Sequence, residues 1–544
     1  MQPTQRLRDA MSRVPVWESL DQAIRSHAAT RPDDWAYIEP AGRLSWAAYD
    51  GYVTLIAAAL VDAGIEPGER VALWIPDGVL VHAALSAALR AGVVAVGIGA
   101  RSGEREVRHL LSRTEATTLL TVPSIGQVGT REVFDRVAAD LPRLTRYLDL
   151  PGIVPAPVGE VRSAGDRDAL AGAEQRIAGR RRPVDALSII NSTSGTTGLP
   201  KCVAHDERRW LMYHEYSVDC GDLSTEDVCL SVVPAPFGFG LWTAHFTPTL
   251  LGAPTVVLPR FDPRATLQLL QDERVTVFMA VSTQFVMMLG QPDFDDYDLS
   301  ALRVMFTGGE AVPRHKAEEF ERRTGAVILN MYGSNESGVL SYTTTDDPPE
   351  RRHTTAGRLI PEVEVRLFDA DRNEIDFGSG PGQPGLIGTV RSRGYYQDDE
   401  ANRALYTEDG WMLMGDLVTI DAEGYLQVVG RTSDFIIRGG KNISAPAVEE
   451  LVSEVPGVLR AAAVAVPDEV FGERVCVYVI PAGAPVTLDA VRRHLADQGV
   501  SKEWLPEYLV LVEELPVSEG GKLAKGALRA DARRRRDDGE LVLS

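Results

Sequence analysis

Eleven consecutive residues, Asn191-Ser192-Thr193-Ser194-Gly195-Thr196-Thr197-Gly198-Leu199-Pro200-Lys201, gather hydroxyls, glycines and one cation into a single stretch. The apolar run Leu187–Ile190 leads straight into it and reads as a strand. The hydroxyls of Ser192, Thr193, Ser194 and Thr196, with Thr197 beside them, can donate to phosphate oxygens. Gly195 and Gly198 carry no side chain, so backbone N–H groups can close on an anion. Lys201 adds a compact positive charge. Each charge-assisted hydrogen bond of this kind contributes about 1.5–3 kcal/mol. The pattern predicts a phosphate-gripping loop. It is not a Walker A loop, because Lys201 is followed by Cys202 where that motif needs Ser or Thr.

Lysine is scarce: Lys201, Lys316, Lys441, Lys502, Lys522 and Lys525 are the only lysines among 56 basic residues. A position that keeps lysine against that bias is a candidate for chemistry that arginine cannot do. Lys316 and Lys502 read as ordinary surface positions.

The whole-chain balance excludes several partners. Net charge is −21, so nothing offsets a nucleic-acid backbone or an anionic membrane surface. The four cysteines, Cys202, Cys220, Cys229 and Cys476, form no CxxC pair, which argues against zinc and a disulfide framework. The N-terminal segment lacks the apolar stretch of a signal peptide. Val79–Ala100 is apolar but interrupted by His82 and Arg90, and reads as a buried helix running into a strand rather than a membrane span. These features predict a cytoplasmic enzyme.

The elements that must position the loop alternate between strand and helix from Trp35 to Val327, which predicts α/β layers with much parallel sheet. Strands are expected at Val71–Trp74, Val93–Val96, Leu187–Ile190, Val228–Val232, Thr255–Leu258, Val275–Phe278 and Leu302–Phe306, with helices at Trp46–Ala63 and Val79–Ala91. A β-rich subdomain follows, with strands at Val363–Phe368 and Gly424–Val429 and turns over Gly378–Gly388. The last unit is α+β. Pro446 opens a helix with Val448, Leu451, Val452 and Val455 on one face, and Thr487 caps another. The charged tail after Asp531 is expected to fray. The division is a large N-terminal domain, 1–432, and a small mobile C-terminal domain, 433–544.

The loop closely resembles the signature of the adenylate-forming superfamily of acyl-CoA synthetases, adenylation domains and luciferases, in its acid–CoA ligase branch. The resemblance runs in order from about Leu44 to Leu528. It implies that ATP and a carboxylic acid give an acyl-adenylate and pyrophosphate, and that the acyl group passes to CoA. Thr307-Gly308-Gly309-Glu310-Ala311 resembles the family's adenine-pocket turn, and small residues there let backbone lie against a flat base. Asn330-Met331-Tyr332-Gly333-Ser334-Asn335-Glu336 resembles the next motif, read as another turn; it implies that Tyr332 packs on adenine and Glu336 holds Mg²⁺. Asp416 is similar to the family's ribose-binding acid, and Arg431 to the Arg that reaches ribose or phosphate. Lys522, after Ser518-Glu519-Gly520-Gly521, resembles the catalytic lysine whose ammonium bridges carboxylate and α-phosphate.

The departures from the pattern are also informative. Asn335 stands where the family has Thr, and Met414 replaces the Thr before Gly415-Asp416. The hinge acid or lysine is Ser433. Arg438-Gly439-Gly440-Lys441 resembles the loop that admits a pantetheine, so the thiol step is expected to be retained. Pro234–Trp242 falls where many relatives carry an aromatic–His pair, and Gly238 takes the His position. No acid stands there to hold an ammonium group. The expected substrate is an aryl, cyclic or bulky apolar acid without an α-amino group, facing Phe237, Gly238, Phe239, Trp242 and Gly308. Two other readings are an adenylating enzyme that serves a carrier protein or partner ligase, and a non-catalytic adenylate-binding protein. Lys522, Glu336 and Asp416 argue against the latter.

Overall fold

The computed structural model describes residues 5–541 except 166, 194–198, 310–311, 432–433, 439–440, 469, 484–485 and 519–521, with backbone alone at 431, 441, 442 and 503. Two large sheets, of ten and six strands, carry the first two thirds of the chain. At the centre of the first, Cys229–Ser231, Val277–Met279, Val304–Gly308 and Val327–Ser334 run parallel as successive neighbours. Val304–Gly308 is buried along its whole length, as expected of a strand covered on both faces. In the second sheet Leu187–Ser192 lies parallel to Val94–Ile98 and antiparallel to Cys202–Asp206. Ser192, Ser231 and Gly308 are thus the carboxyl ends of strands in the two sheets. The loops that leave them carry the candidate site, the usual place for ligands in open α/β sheets.

The helix expected at Val79 spans Val79–Arg90, and strand Val94–Ile98 follows. Its buried Arg90 is tolerated because Asp21 and Asp50 pair with it at 2.5 and 2.7 Å. Among the described residues no helix is long and apolar enough to cross a membrane.

Three local expectations change. Gly378–Gly388 is not all turn, because strand Gln383–Ile387 lies within it, paired with Glu364–Phe368 and Met412–Leu413. Its Gly385 is a packing glycine: a Cβ there would stand 2.5 Å from the Phe368 ring. Asn330–Ser334 is strand rather than turn, held on both sides by Val304–Gly308 and Gly338–Tyr342. The charged tail forms helix Lys525–Asp537. Leu528 and Ala532, four residues apart, bury one face of it, while Asp531 accepts from Tyr478, Arg534 and Arg535.

The last unit is a five-stranded sheet built on the long antiparallel pair Val458–Asp468 and Gly472–Pro481. Helix Ala445–Ser453 is capped by Ser444, and helix Leu488–Asp497 by Thr487. Lys525 serves this scaffold. Its ammonium lies 2.8 Å from Glu449 and 3.8 Å from Asp434. Burial pushes the Glu449 carboxyl above its usual range, and Lys525 opposes that shift. Lys525→Ala strands a buried carboxylate and should lower unfolding stability by about 3 kcal/mol in denaturant melts. Lys522→Ala should change the same melts by about 0.5 kcal/mol or less.

Candidate active site

The phosphate loop is closed at its base by its own ends. Thr193 N–H donates to the Lys201 carbonyl at 3.0 Å, and Lys201 N–H donates to Thr193 Oγ1 at 3.3 Å. Ser194, Gly195, Thr196 and Thr197 lie outside the described residues. Lys201 Nζ stands 4.6 Å from the ring centroid of Tyr395, whose hydroxyl donates to Glu336 Oε1 at 2.7 Å. Burial, reinforced by the Glu336 charge, raises the Tyr395 hydroxyl pKa well above its ordinary value, so it remains a donor. Lys201, Tyr395 and Glu336 therefore form one cluster beside the loop. Tyr395 reaches it because Tyr395 bridges Val203, and Tyr396 N–H donates to the Cys202 carbonyl at 2.8 Å. Sequence reasoning missed Tyr395; the clue was Gly394, at φ 85°, turning the chain just before it.

The next strands bring the nucleotide motifs together. Thr307 and Gly308 pair in register with Asn330 and Met331. Gly309 has φ 74°, a conformation that favours glycine, and Glu310 and Ala311 lie outside the described residues. Tyr332 is largely buried and donates its hydroxyl to Asp416 Oδ2 at 2.8 Å. Asp416 is the cross-strand partner of Arg431 in the ribbon Asp416–Ile420 and Leu426–Arg431. Gly333 and Ser334 end the strand, with Ser334 Oγ 3.1 Å from Ser337 Oγ. The motifs expected to take adenine, ribose and metal thus converge although about a hundred residues separate them in sequence.

The acid side follows strand Cys229–Ser231. Asp77 accepts from Ala235 N–H at 2.8 Å, and Gln284 donates to the Val232 carbonyl at 2.7 Å, fixing the start of Pro234–Trp242. Burial pushes Asp77 up to about 6. A short π-type helix, Leu241–Phe246, follows. Phe237 and Trp242 are buried, and the Trp242 indole donates to Ser217 Oγ at 2.6 Å. Trp242 also packs edge-on against Phe239, with centroids 5.0 Å apart. With Pro234, Gly238 and Phe239 are the partly open positions of this segment, and Phe239 lies 3.7 Å from where a Cβ on Gly308 would stand. Phe239 and Gly308 therefore share a wall, with Phe237 and Trp242 behind it.

The C-terminal unit closes over this edge. A Cβ built on Gly309 would lie 2.5 Å from Lys522 Nζ. Lys522 sits on a narrow turn whose sides are tied by Ser518 N–H to the Lys522 carbonyl at 2.7 Å and by the Val517–Leu523 bridge. Arg460 donates to Thr283 Oγ1, and Leu459 packs against Gly290. Ser433, Gly439 and Gly440 lie outside the described residues, as does the side chain of Lys441.

A family model of AMP-binding enzymes matches residues 24–396, and the model of their C-terminal domain matches 447–522. A salicylyl-CoA synthase / salicylate adenylyltransferase from a Streptomyces species is 32% identical over 96% of this chain and 95% of its own length. A medium-chain fatty-acid–CoA ligase of Escherichia coli K12 is 30% identical over 95% of this chain and 91% of its own. The crystal structure of the anthranilate CoA ligase AuaEII with anthranoyl-AMP shares the fold, at TM-score 0.84 and 21% identity over 97% of this chain and 99% of its own. The chain belongs to the AMP-binding enzymes of the adenylate-forming superfamily, in the acid–CoA ligase branch.

Proposed function

We propose that the enzyme activates an aryl or other bulky apolar carboxylic acid, lacking an α-amino group, as its acyl-adenylate and then delivers the acyl group to CoA. One observation carries the reading: Lys522, from the C-terminal unit, stands at Gly309, next to the Gly308–Phe239 wall. A cation there lies between the turn that takes the nucleotide and the wall that takes the acid. Carboxylate attack on the α-phosphorus forms the acyl–oxygen–phosphorus linkage and expels pyrophosphate. Two anions meet in that step, and the Lys522 ammonium offsets the charge that develops between them without giving up a proton. The loop 193–197 and Lys201 hold the leaving phosphates, Asp416 and Arg431 take the ribose, and Tyr332 lies along the base.

Mg²⁺ suits this arrangement. Glu336 offers hard carboxylate oxygen beside Lys201, and among the described residues no trio of His, Cys, Asp or Glu forms an all-protein cage. Phosphate oxygens and water would complete its shell, as Mg²⁺ prefers. The ion would neutralise the phosphate charge. Tyr395 orients Glu336 for that task.

The second half-reaction assigns residues 433–544 as the moving unit, Ser433 as its hinge, and Gly439, Gly440 and Lys441 as the path of the pantetheine thiol. The first sheet of that unit begins just after the hinge, at Phe435, and the preceding ribbon ends at Arg431. CoA is the acceptor that the names of the relatives support, with a carrier-protein thiol as the other acceptor of the same chemistry. A supply of ATP and CoA fits a cytoplasmic enzyme.

A pyrophosphate-release screen over aryl, polycyclic and fatty acids, with and without CoA, tests the reading. Release with aryl acids and CoA-dependent thioester formation support it. Release confined to straight-chain acids refutes the acid class, and release without any thioester refutes the second step. Lys522→Ala should lower the adenylation rate at least about a thousandfold, some 4 kcal/mol, and spare thioester formation from supplied acyl-adenylate. Survival of both half-reactions would contradict the role of Lys522. Tyr395→Phe keeps the ring beside Lys201 and removes the hydroxyl. It should weaken MgATP binding by about tenfold in calorimetric titration, the effect of losing one hydrogen bond to a charged group.

A further inference from the structure

Four polar side chains, Arg209, His205, Asn191 at the start of the phosphate loop, and Asn335, form one line ending at the acid wall. Arg209 Nη1 stands 2.6 Å from His205 Nδ1. His205 Nε2 stands 2.8 Å from Asn191 Oδ1. Asn335 Nδ2 donates to Asn191 Oδ1 at 2.7 Å, and Asn191 Nδ2 donates back to Asn335 Oδ1 at 3.1 Å. Arg209, His205 and Asn191 are each about 1% exposed or less. Arg209 also donates to the Asn335 carbonyl at 2.7 Å, so it holds both the backbone and, at one remove, the side chain of that residue.

The direction of this line is determined at its far end. A guanidinium only donates. His205 must therefore accept at Nδ1 and carry its proton on Nε2. That proton goes to Asn191 Oδ1, which fixes the Asn191 amide, because the flipped amide would set N–H against N–H. Asn191 in turn fixes Asn335, with Nδ2 toward Asn191 Oδ1 and Oδ1 toward Asn191 Nδ2. Burial and the neighbouring Arg209 keep His205 neutral, consistent with this tautomer.

Gly238 shows where the Asn335 oxygen lies. A Cβ on Gly238 would stand 2.6 Å from Asn335 Oδ1 and 3.4 Å from its Cγ. The carboxamide oxygen fills the space that a side chain at 238 would otherwise occupy, at a partly open position of the acid segment. A carbonyl oxygen has two acceptor sites, and Asn191 uses one.

Building on the acid-activating reading above, we propose that Arg209, through His205 and Asn191, locks Asn335 with its carboxamide oxygen presented at Gly238 as a hydrogen-bond acceptor for the acid. Asn335 is then a specificity-determining residue, and Arg209, His205 and Asn191 are positioning residues. The acid selected is one that carries a hydroxyl or amino donor on its ring. A site built to accept such a bond discriminates against the analogue that lacks it, because the buried acceptor is then left unpaired.

The test is ATP–pyrophosphate exchange on the full chain with benzoate, the three monohydroxybenzoates and the three monoaminobenzoates. At least one substituted acid should exceed benzoate by about tenfold in kcat/KM. The difference should lie in the KM of the acid, with the KM for ATP the same for both. Gly238→Ala, whose new methyl group displaces the Asn335 oxygen, and Asn335→Thr should each bring that ratio to about one. Arg209→Met should do the same from two hydrogen bonds away; if it does not fold, the other two variants decide. Equal efficiency of benzoate and every substituted acid in the wild type overturns the inference, as does a ratio that survives Asn335→Thr. Exchange with fatty acids and none of the benzoates refutes the aryl reading alone. The comparison is then made between hydroxylated and plain fatty acids, with the same criterion.

Discussion

A carboxylate and a triphosphate repel, and an enzyme that joins them must bring a positive charge to the point where they meet. The chain meets this constraint by dividing the work. The carboxyl ends of strands in two sheets set the walls and the phosphate loop, and these belong to the large unit. The ammonium proposed to bridge them is that of Lys522, more than two hundred residues after Gly309, in the C-terminal unit. Lys522 reaches Gly309 only because the second unit packs down, with Leu459 on Gly290 and Arg460 on Thr283. Glycine at 309 serves two demands: its φ of 74° would strain a side chain, and a Cβ there would push the Lys522 ammonium aside.

Much of this was legible in the sequence because the chemistry concentrates rare residue types. The phosphate loop is conspicuous for its hydroxyls and glycines. Lys522 is conspicuous because lysine is otherwise almost absent. The strand series follows from apolar runs; those expected differ from the fold at their ends, while Thr118–Thr121, Cys202–Asp206 and Gly338–Tyr342 are strands it lacks. Other features were hidden for definite physical reasons. Tyr395 has only the turn at Gly394 to mark it; it matters because a strand bridge returns it to Val203, nearly two hundred residues away in sequence. Asn330–Ser334 carries turn-forming residues, yet pairing on both edges makes it strand. Gly385 looks like a turn residue and is a cradle for Phe368. The charge of the tail hides its order, because Asp531 pairs with Arg534 and Arg535 and also accepts from Tyr478 of the sheet.

The acid side shows the same contrast between composition and arrangement. Four aromatic or glycine positions look alike in the sequence, whereas in the fold Gly238 and Phe239 stay partly open and Phe237 and Trp242 are buried. Polar supports from distant segments, Asp77 and Gln284, hold the backbone of this wall rather than its side chains. Substrate-facing residues can then vary in kind without loosening the strand ends that carry them.

Lys525 and Arg529 both bind Asp434, the first described residue after Arg431, and Lys525 also binds Glu449 on the first helix of the unit. The start and the finish of the C-terminal unit are thus welded at one point. Lys522 lies three residues before that weld. If the unit turns about 432–433 as proposed, these pairs move with it and carry Lys522 along. The two nearby lysines therefore share one mechanical element, in which Lys525 makes the arm rigid and Lys522 is its tip.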